Sequence, residues 1–142
     1  MNNKTRNSDL GTWAESYAAE LLENKGYQIL ARNFHSRFGE IDLIALLNKE
    51  LVFVEVKARS NQTRGSAVDM ITLSKQKKVF KTACVYLQQN EQFERLYYRF
   101  DVFCFDFHTK ISKNLQQNFS DLSYDLEWIE NAFTLNVDLI NL

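Results

Sequence analysis

The sequence predicts an α/β domain with a mixed central β-sheet flanked by helices, in the order α-β-β-β-α-β. Two stretches with helical apolar spacing, residues 10–25 and 72–89, bracket three short β-rich runs. An aromatic and β-branched run, residues 97–107, follows the second helix. A strand, helix, strand order implies parallel pairing through a right-handed crossover, whereas the three consecutive runs form an antiparallel meander, so the sheet is mixed.

Each element has its own signal. In the first helix Ala14, Tyr17, Ala18, Leu21 and Leu22 form an apolar stripe, Asp9 is placed to cap the start, and Gly26 stops the end. The strands are expected at 27–34, 40–47 and 51–58, divided by His35 to Gly39 and by the polar pair Asn48 and Lys49. Ser66 to Asp69 matches a helix-start pattern, and Val79, Phe80, Ala83, Cys84 and Leu87 recur with helical period behind it. Phe100, Phe103, Phe105 and Phe107 read as core rather than as base-stacking platforms. Residues 108–123 are polar and aperiodic, a long loop; Leu126 to Phe133 is expected as a short strand or helix, and Thr134 to Leu142 alternates like an edge strand. The 142 residues thus read as one domain, with a core at about 10–107 and a polar loop plus C-terminal extension at 108–142.

Composition removes several classes. With 45% hydrophobic and 25% charged residues the chain is neither disordered nor fibrous. Its longest apolar run, Leu43 to Leu47, falls far short of the roughly 18 residues of a membrane span. No apolar stretch follows the two N-terminal cations, so a cytoplasmic location is expected. Cys84 and Cys104 have no metal-ligand spacing and read as reduced core thiols, and His35 and His108 have no partner at catalytic spacing. The net charge of -1 hides a basic middle: residues 57–99 hold 9 basic and 3 acidic side chains, residues 100–142 hold 2 and 7.

The chemistry concentrates where charges interrupt apolar strand text: Gly39-Glu40-Ile41-Asp42-Leu43-Ile44-Ala45, then Val52-Phe53-Val54-Glu55-Val56-Lys57. A two-residue loop at Asn48 and Lys49 pairs Leu47 with Glu50; counting back sets Ile44 opposite Phe53, Asp42 opposite Glu55, and Glu40 opposite Lys57, all on one face. The other face carries Ile41, Leu43, Ala45, Val52, Val54 and Val56 and must be covered. Facing carboxylates repel by up to about 1 kcal/mol, so something must offset them. Lys57 alone could do so, as in a surface ion-pair cluster on a strand end. The functional alternative is a hard divalent cation, Mg²⁺ or Mn²⁺, which would polarise a phosphodiester while an ammonium orients water or meets developing charge. Glu15, with Ala18, Ala19 and Leu22 at i+3, i+4 and i+7, is the inward-leaning acid of the first helix; it is either a further acid of this site or a boundary residue with its head in water.

Together Gly11-x-x-x-Glu15, Gly26-Tyr27, Arg32-Asn33, the two strand motifs with Arg59-Ser60, and Arg99-Phe100-Asp101-Val102 resemble the YraN-like family of endonucleases, with a weaker echo in Trp128 to Phe133. That family is similar to archaeal Holliday junction resolvases within the restriction-endonuclease-like, or PD-(D/E)xK, superfamily. The resemblance implies Asp42 and Glu55 as metal-binding acids, the Val56 carbonyl as a further ligand, Lys57 as the catalytic lysine, and Glu15 as the helix acid that completes the site, through water where it reaches the metal. Ile41 stands where the superfamily has proline, and Ala14 where the family often has glycine; neither change removes a ligand.

Arg59, Arg64, Lys75, Lys77, Lys78 and Lys81 follow the motif strand, with Arg32 and Arg37 before it. Lysines on a helix are commonly a solvated face, but one-sign charge running on from an acidic strand pair suits a phosphate backbone, bound without base reading. The loop Ser60 to Ser66, pivoting at Gly65, is the expected flexible element beside the site.

Three readings result. The first is a metal-dependent endonuclease acting on DNA, on branched or junction DNA if the resemblance extends to substrate. The second is a non-catalytic nucleic-acid-binding protein on the same fold. The third is a partner-binding scaffold using the acidic tail Asp121 to Asp138. Metal-dependent cleavage lost in Asp42→Asn marks the first, salt-sensitive binding that survives it marks the second, and neither marks the third. Resolvase-type action on two strands favours a symmetric homodimer.

Overall fold

A computed structural model of the chain describes residues 9–60, 68–108 and 119–134. The first apolar stripe becomes helix α1 (Asp9–Asn24), which begins at the residue expected to cap it. Its end is a left-handed stop: Gly26 has φ 97°, its N–H donates to the Glu23 carbonyl (2.9 Å), and the Tyr27 N–H donates to the Leu22 carbonyl (3.0 Å). Leu22 and Tyr27 are both buried, so the same turn that satisfies the helix carbonyls delivers the chain into the sheet.

Five strands form one sheet in the order β1-β2-β3-β4-β5: β1 (Gln28–Ser36), β2 (Gly39–Leu47), β3 (Glu50–Ser60), β4 (Tyr97–Phe107) and β5 (Tyr124–Ile129). The first three are an antiparallel meander, β4 runs parallel to β3, and β5 returns antiparallel along β4. The expected mixed sheet and α-β-β-β-α-β order therefore hold, and Leu126 to Phe133, left between strand and helix, contains the end of a strand. Helix α2 (Leu73–Gln89) links β3 to β4. It is capped by Thr72, whose side chain accepts the Lys75 N–H, not by the Ser66 to Asp69 pattern: Val68–Met70 is a separate 3₁₀ turn, and Ser66 lies outside the described residues, as do Arg64 and Gly65. Of the expected terminal edge strand only Thr134 is described.

The sheet divides the interior into two cores. On one face Ala14, Ala18 and Leu22 of α1 pack on Leu43, Ala45, Val52, Val54, Val56, Phe103, Phe105 and Phe107. Trp13 closes that face edge-on to Phe105 at 5.2 Å and to Tyr124 at 5.5 Å. On the other face Val79, Ala83 and Tyr86 of α2 pack on Ile44, Leu51, Phe53, Val102 and Cys104. The phenylalanines of β4 are core, as expected, and both cysteines are free.

Ile41 departs from the expected alternation. It packs with Ile44 on the α2 side rather than with Leu43 on the α1 side. The break coincides with Asn33, which adopts φ 53° and, with Asp42, is skipped between the Arg32↔Leu43 and Phe34↔Ile41 pairs, the register being the same on either side; the register shift of this strand pair lies earlier, between Ile29 and Ala31. The pleat is broken at Asp42, and the alternation restarts on the opposite phase.

Candidate functional site

The broken pleat makes the site. The β2–β3 ladder follows the counted register from Leu47↔Glu50 through Ile44↔Phe53 but ends at Leu43↔Val54. Asp42 and Glu55, and Glu40 and Lys57, are therefore not ladder pairs as counted. Asp42 instead turns its carboxylate into the gap, where Oδ2 accepts the Val56 N–H at 2.8 Å. The side chain takes the place of a lost ladder bond and is fixed by it.

Glu55 is 1% exposed and lies in hydrogen-bond contact with Asp42. Its Oε1 is buried and has no hydrogen-bond partner among the described residues. Burial, the Asp42 charge and the hydrogen bond to Asp42 push the Glu55 carboxyl up to about 9, against the opposing pull of Lys75 and Lys57. A hydrogen bond between two carboxyl groups requires a proton, so the pair binds one proton at neutral pH.

Glu15 approaches from α1. It is half-buried; burial and then Asp42 raise its carboxyl above the usual range, while a hydrogen bond from Asn33 lowers it. Asn33 thus sits at the break in the pleat and holds Glu15 at once. Glu40 does not join Asp42 and Glu55 on their face: it pairs with His35 at 3.3 Å and sits in the field of Glu15. Among the described residues no three His, Cys, Asp or Glu are grouped closely enough to hold a metal ion. The acids that do meet are two, Asp42 and Glu55, with the Val56 carbonyl on the same strand.

The basic residues divide by what holds them. Lys57 and Lys75 both act on Glu55, so Lys75, expected as a phosphate contact, faces the carboxylate pair from the first turn of α2. That role had no sequence signal beyond the charge, because it depends on how α2 is set against β3. Arg59 pairs with Asp106 of β4 at 3.1 Å, with its side chain 9% exposed. Arg32 donates to Ser16 Oγ at 3.0 Å. Arg37 and Lys81 lie over the Phe38 ring, and Lys77 and Lys78 lie along α2 between them and Lys75.

A second buried carboxylate was not singled out by charge pattern. Asp101, 0% exposed, accepts from Arg99 Nε (2.9 Å) and Nη2 (3.0 Å), Trp128 Nε1 (2.9 Å) and the Asn131 N–H (2.9 Å). Arg99 also reaches Glu50 (3.0 Å), Glu130 (3.1 Å) and the Tyr27 hydroxyl (2.8 Å). The Arg99-Phe100-Asp101-Val102 and Trp128 to Phe133 motifs thus meet as one network tying β4, β5 and the start of β1 together. The signal was present in the sequence as two motifs, but only the fold joins them.

Fold and site together define an α/β protein with an acid pair and two lysines at a fork between paired strands. The chain belongs to Uncharacterised protein family UPF0102, whose model matches residues 14–105; this is the YraN-like family that the motifs resemble. It is 55% identical over 127 residues to a UPF0102 protein of Acinetobacter baumannii (strain AYE), covering 89% of this chain and 96% of that one. It is 51% identical over 126 residues to a UPF0102 protein of Acinetobacter baylyi, covering 89% and 90%. A UPF0102 protein of Clostridium botulinum (strain Loch Maree) is 39% identical over 129 residues, covering 91% and 97%. No helix among the described residues is long and apolar enough to cross a membrane.

Proposed function

We propose that this protein is a metal-dependent endonuclease of restriction-endonuclease-like, PD-(D/E)xK type that hydrolyses phosphodiester bonds in DNA, with branched or junction DNA as the substrate class its motifs point to. The observation that carries the reading is the Asp42–Glu55 pair: two carboxyl groups in contact, one with a buried oxygen that has no hydrogen bond among the described residues, flanked by two ammonium groups. A buried polar atom without a partner is costly, and a carboxylate oxygen in that state fits a cation site.

The donor set suits Mg²⁺ or Mn²⁺. Mg²⁺ is usually held by one or two carboxylates and keeps several waters, so two acids and the Val56 carbonyl would suffice to hold it, with Glu15 acting through a water. When bound, the ion would supply a charge that polarises the phosphodiester and eases deprotonation of water. The chain does the rest. The Val56 N–H holds Asp42 in one orientation. Lys57 meets the charge that develops on the phosphate, and Lys75 balances the acids from α2. Asn33 keeps Glu15 turned toward Asp42, and Lys77, Lys78 and Lys81 hold the polyanion by charge alone.

The test compares wild type with Asp42→Asn and Lys57→Ala on linear, nicked, flapped and four-way-junction DNA, in Mg²⁺, in Mn²⁺ and in EDTA. Structure-selective cleavage that needs metal and falls on the order of 100-fold or more in both variants is the expected result. Salt-sensitive binding without cleavage by any of the three proteins would replace the enzyme by a nucleic-acid-binding protein on this fold, a reading favoured by the lack of a three-acid cluster among the described residues. Neither cleavage nor binding would leave the partner-binding scaffold.

A further inference from the structure

A groove of about 570 Å³ lies between the β1–β2 turn and α2, away from the acid pair. Its walls carry the cations Arg37 and Lys81, the amides Gln88 and Gln89, and the apolar surfaces of Phe38 and Val85, and among the described residues no carboxylate lines it. Arg37 Cζ is 4.8 Å and Lys81 Nζ 5.4 Å from the centre of the Phe38 ring. One ring therefore gathers two like charges, and neither has a carboxylate within ion-pair distance among the described residues. A ring quadrupole offsets only part of that repulsion, and an anion between the cations would offset the rest. The turn that carries them is held in place: Ser36 and Thr82 hydroxyls are 2.7 Å apart, and Gly39, at φ 153°, lets the turn approach the Lys78 Cβ. At the other side His35 lines the groove and pairs with Glu40 at 3.3 Å.

We infer that this groove binds one unpaired nucleotide of a nucleic-acid strand, its phosphate between Arg37 and Lys81 and its base against Phe38 and Val85 within reach of Gln88 and Gln89. The volume falls in the range of small-ligand pockets, and cations beside an aromatic ring are the elements that hold single strands. A base reaches such a groove only when it is out of a duplex, so the substrate would carry an unpaired segment. The inference rests on the nucleic-acid reading above and names the substrate class for it.

The experiment measures binding, in EDTA and at fixed salt, of a fluorescent duplex with a single-stranded overhang against a blunt duplex of equal phosphate number. Wild type and Asp42→Asn should both prefer the overhang. Val85→Trp, which fills the groove without changing charge, should lower affinity for the overhang about tenfold and leave the blunt duplex unchanged. Gln88→Glu, at an exposed position that folding tolerates, should do the same, while Gln92→Glu, exposed and outside the groove, should not. Equal affinity for both DNAs, or a preference untouched by Val85→Trp and Gln88→Glu, overturns the inference. So does thymidine monophosphate bound as tightly as the overhang, which would assign the groove to a free nucleotide. Because no arm needs cleavage, an inactive protein with the predicted preference keeps this inference while losing the nuclease, and an active one without it does the reverse.

Discussion

Two carboxylates are buried in the same sheet, and they differ in every respect except burial. Asp101 takes hydrogen bonds from Arg99, Trp128 and the Asn131 backbone, and its counter-charge is locked in turn by Tyr27, Glu50 and Glu130. Glu55, one residue beyond the Val54 that pairs with Asp101, faces another carboxyl group and keeps one oxygen without a hydrogen-bond partner among the described residues. Burial works against the Arg99 charge, yet the hydrogen bonds to Asp101 and Tyr27 outweigh it and hold the guanidinium protonated more firmly than usual. Burial also works against the Glu55 charge, and Asp42 adds to it. The first region is a polar network completed by the chain itself. The second is left incomplete by the described residues, which is the property expected of a binding site rather than of a staple.

Substitution should separate them. Asp101→Ala removes the buried partner of Arg99 and leaves the Trp128 indole and the Asn131 N–H without their acceptor, which should cost about 3–5 kcal/mol in urea unfolding. A cost under about 1 kcal/mol would break the contrast. Glu55→Gln, measured without metal, should not destabilise the protein at neutral pH and should stabilise it at alkaline pH.

The pH profile sharpens the same point. Glu55 has a folded value of about 9, above its ordinary 4.5, so its contribution is fully present below about 4.5 and is lost as pH rises toward 9. Metal-free wild type should therefore lose up to about 1.4 kcal/mol per pH unit across that window, a slope that Glu55→Gln flattens. A wild-type profile as flat as that of the variant would remove the shared proton from the account.

Smaller effects follow at the margins of the two regions. Tyr27→Phe deletes one hydrogen bond to Arg99 and should cost about 1 kcal/mol by the same unfolding assay. Glu40→Gln breaks only a surface pair with His35 and should cost a few tenths of a kcal/mol.

Much of this was legible in the sequence. The Asn48 and Lys49 turn set the β2–β3 register, the helix between two β-rich runs set β4 beside β3, and the count through the hairpin brought Asp42 to Glu55. What the count missed was the fork. Period-2 alternation assumes an unbroken pleat; asparagine tolerates the left-handed conformation, but Arg32, Asn33 and Phe34 do not announce that Asn33 adopts it within a strand and that the phase reverses at Ile41. The same limit hid Lys75: charge pattern lists a lysine, but the setting of α2 against β3 decides whether it meets a phosphate or Glu55. The Arg59 ion pair was hidden in the same way, since its partner Asp106 lies 47 residues away and becomes a neighbour only through the parallel register.

The central claim is that the Asp42–Glu55 pair is a cation site, and Mn²⁺ titration of the metal-free protein tests it most directly. Calorimetry in two buffers of different ionisation enthalpy should show one ion bound to wild type with release of a proton at neutral pH, and with affinity lost in Asp42→Asn. Identical Mn²⁺ binding by wild type and Asp42→Asn, or binding by neither, would contradict it.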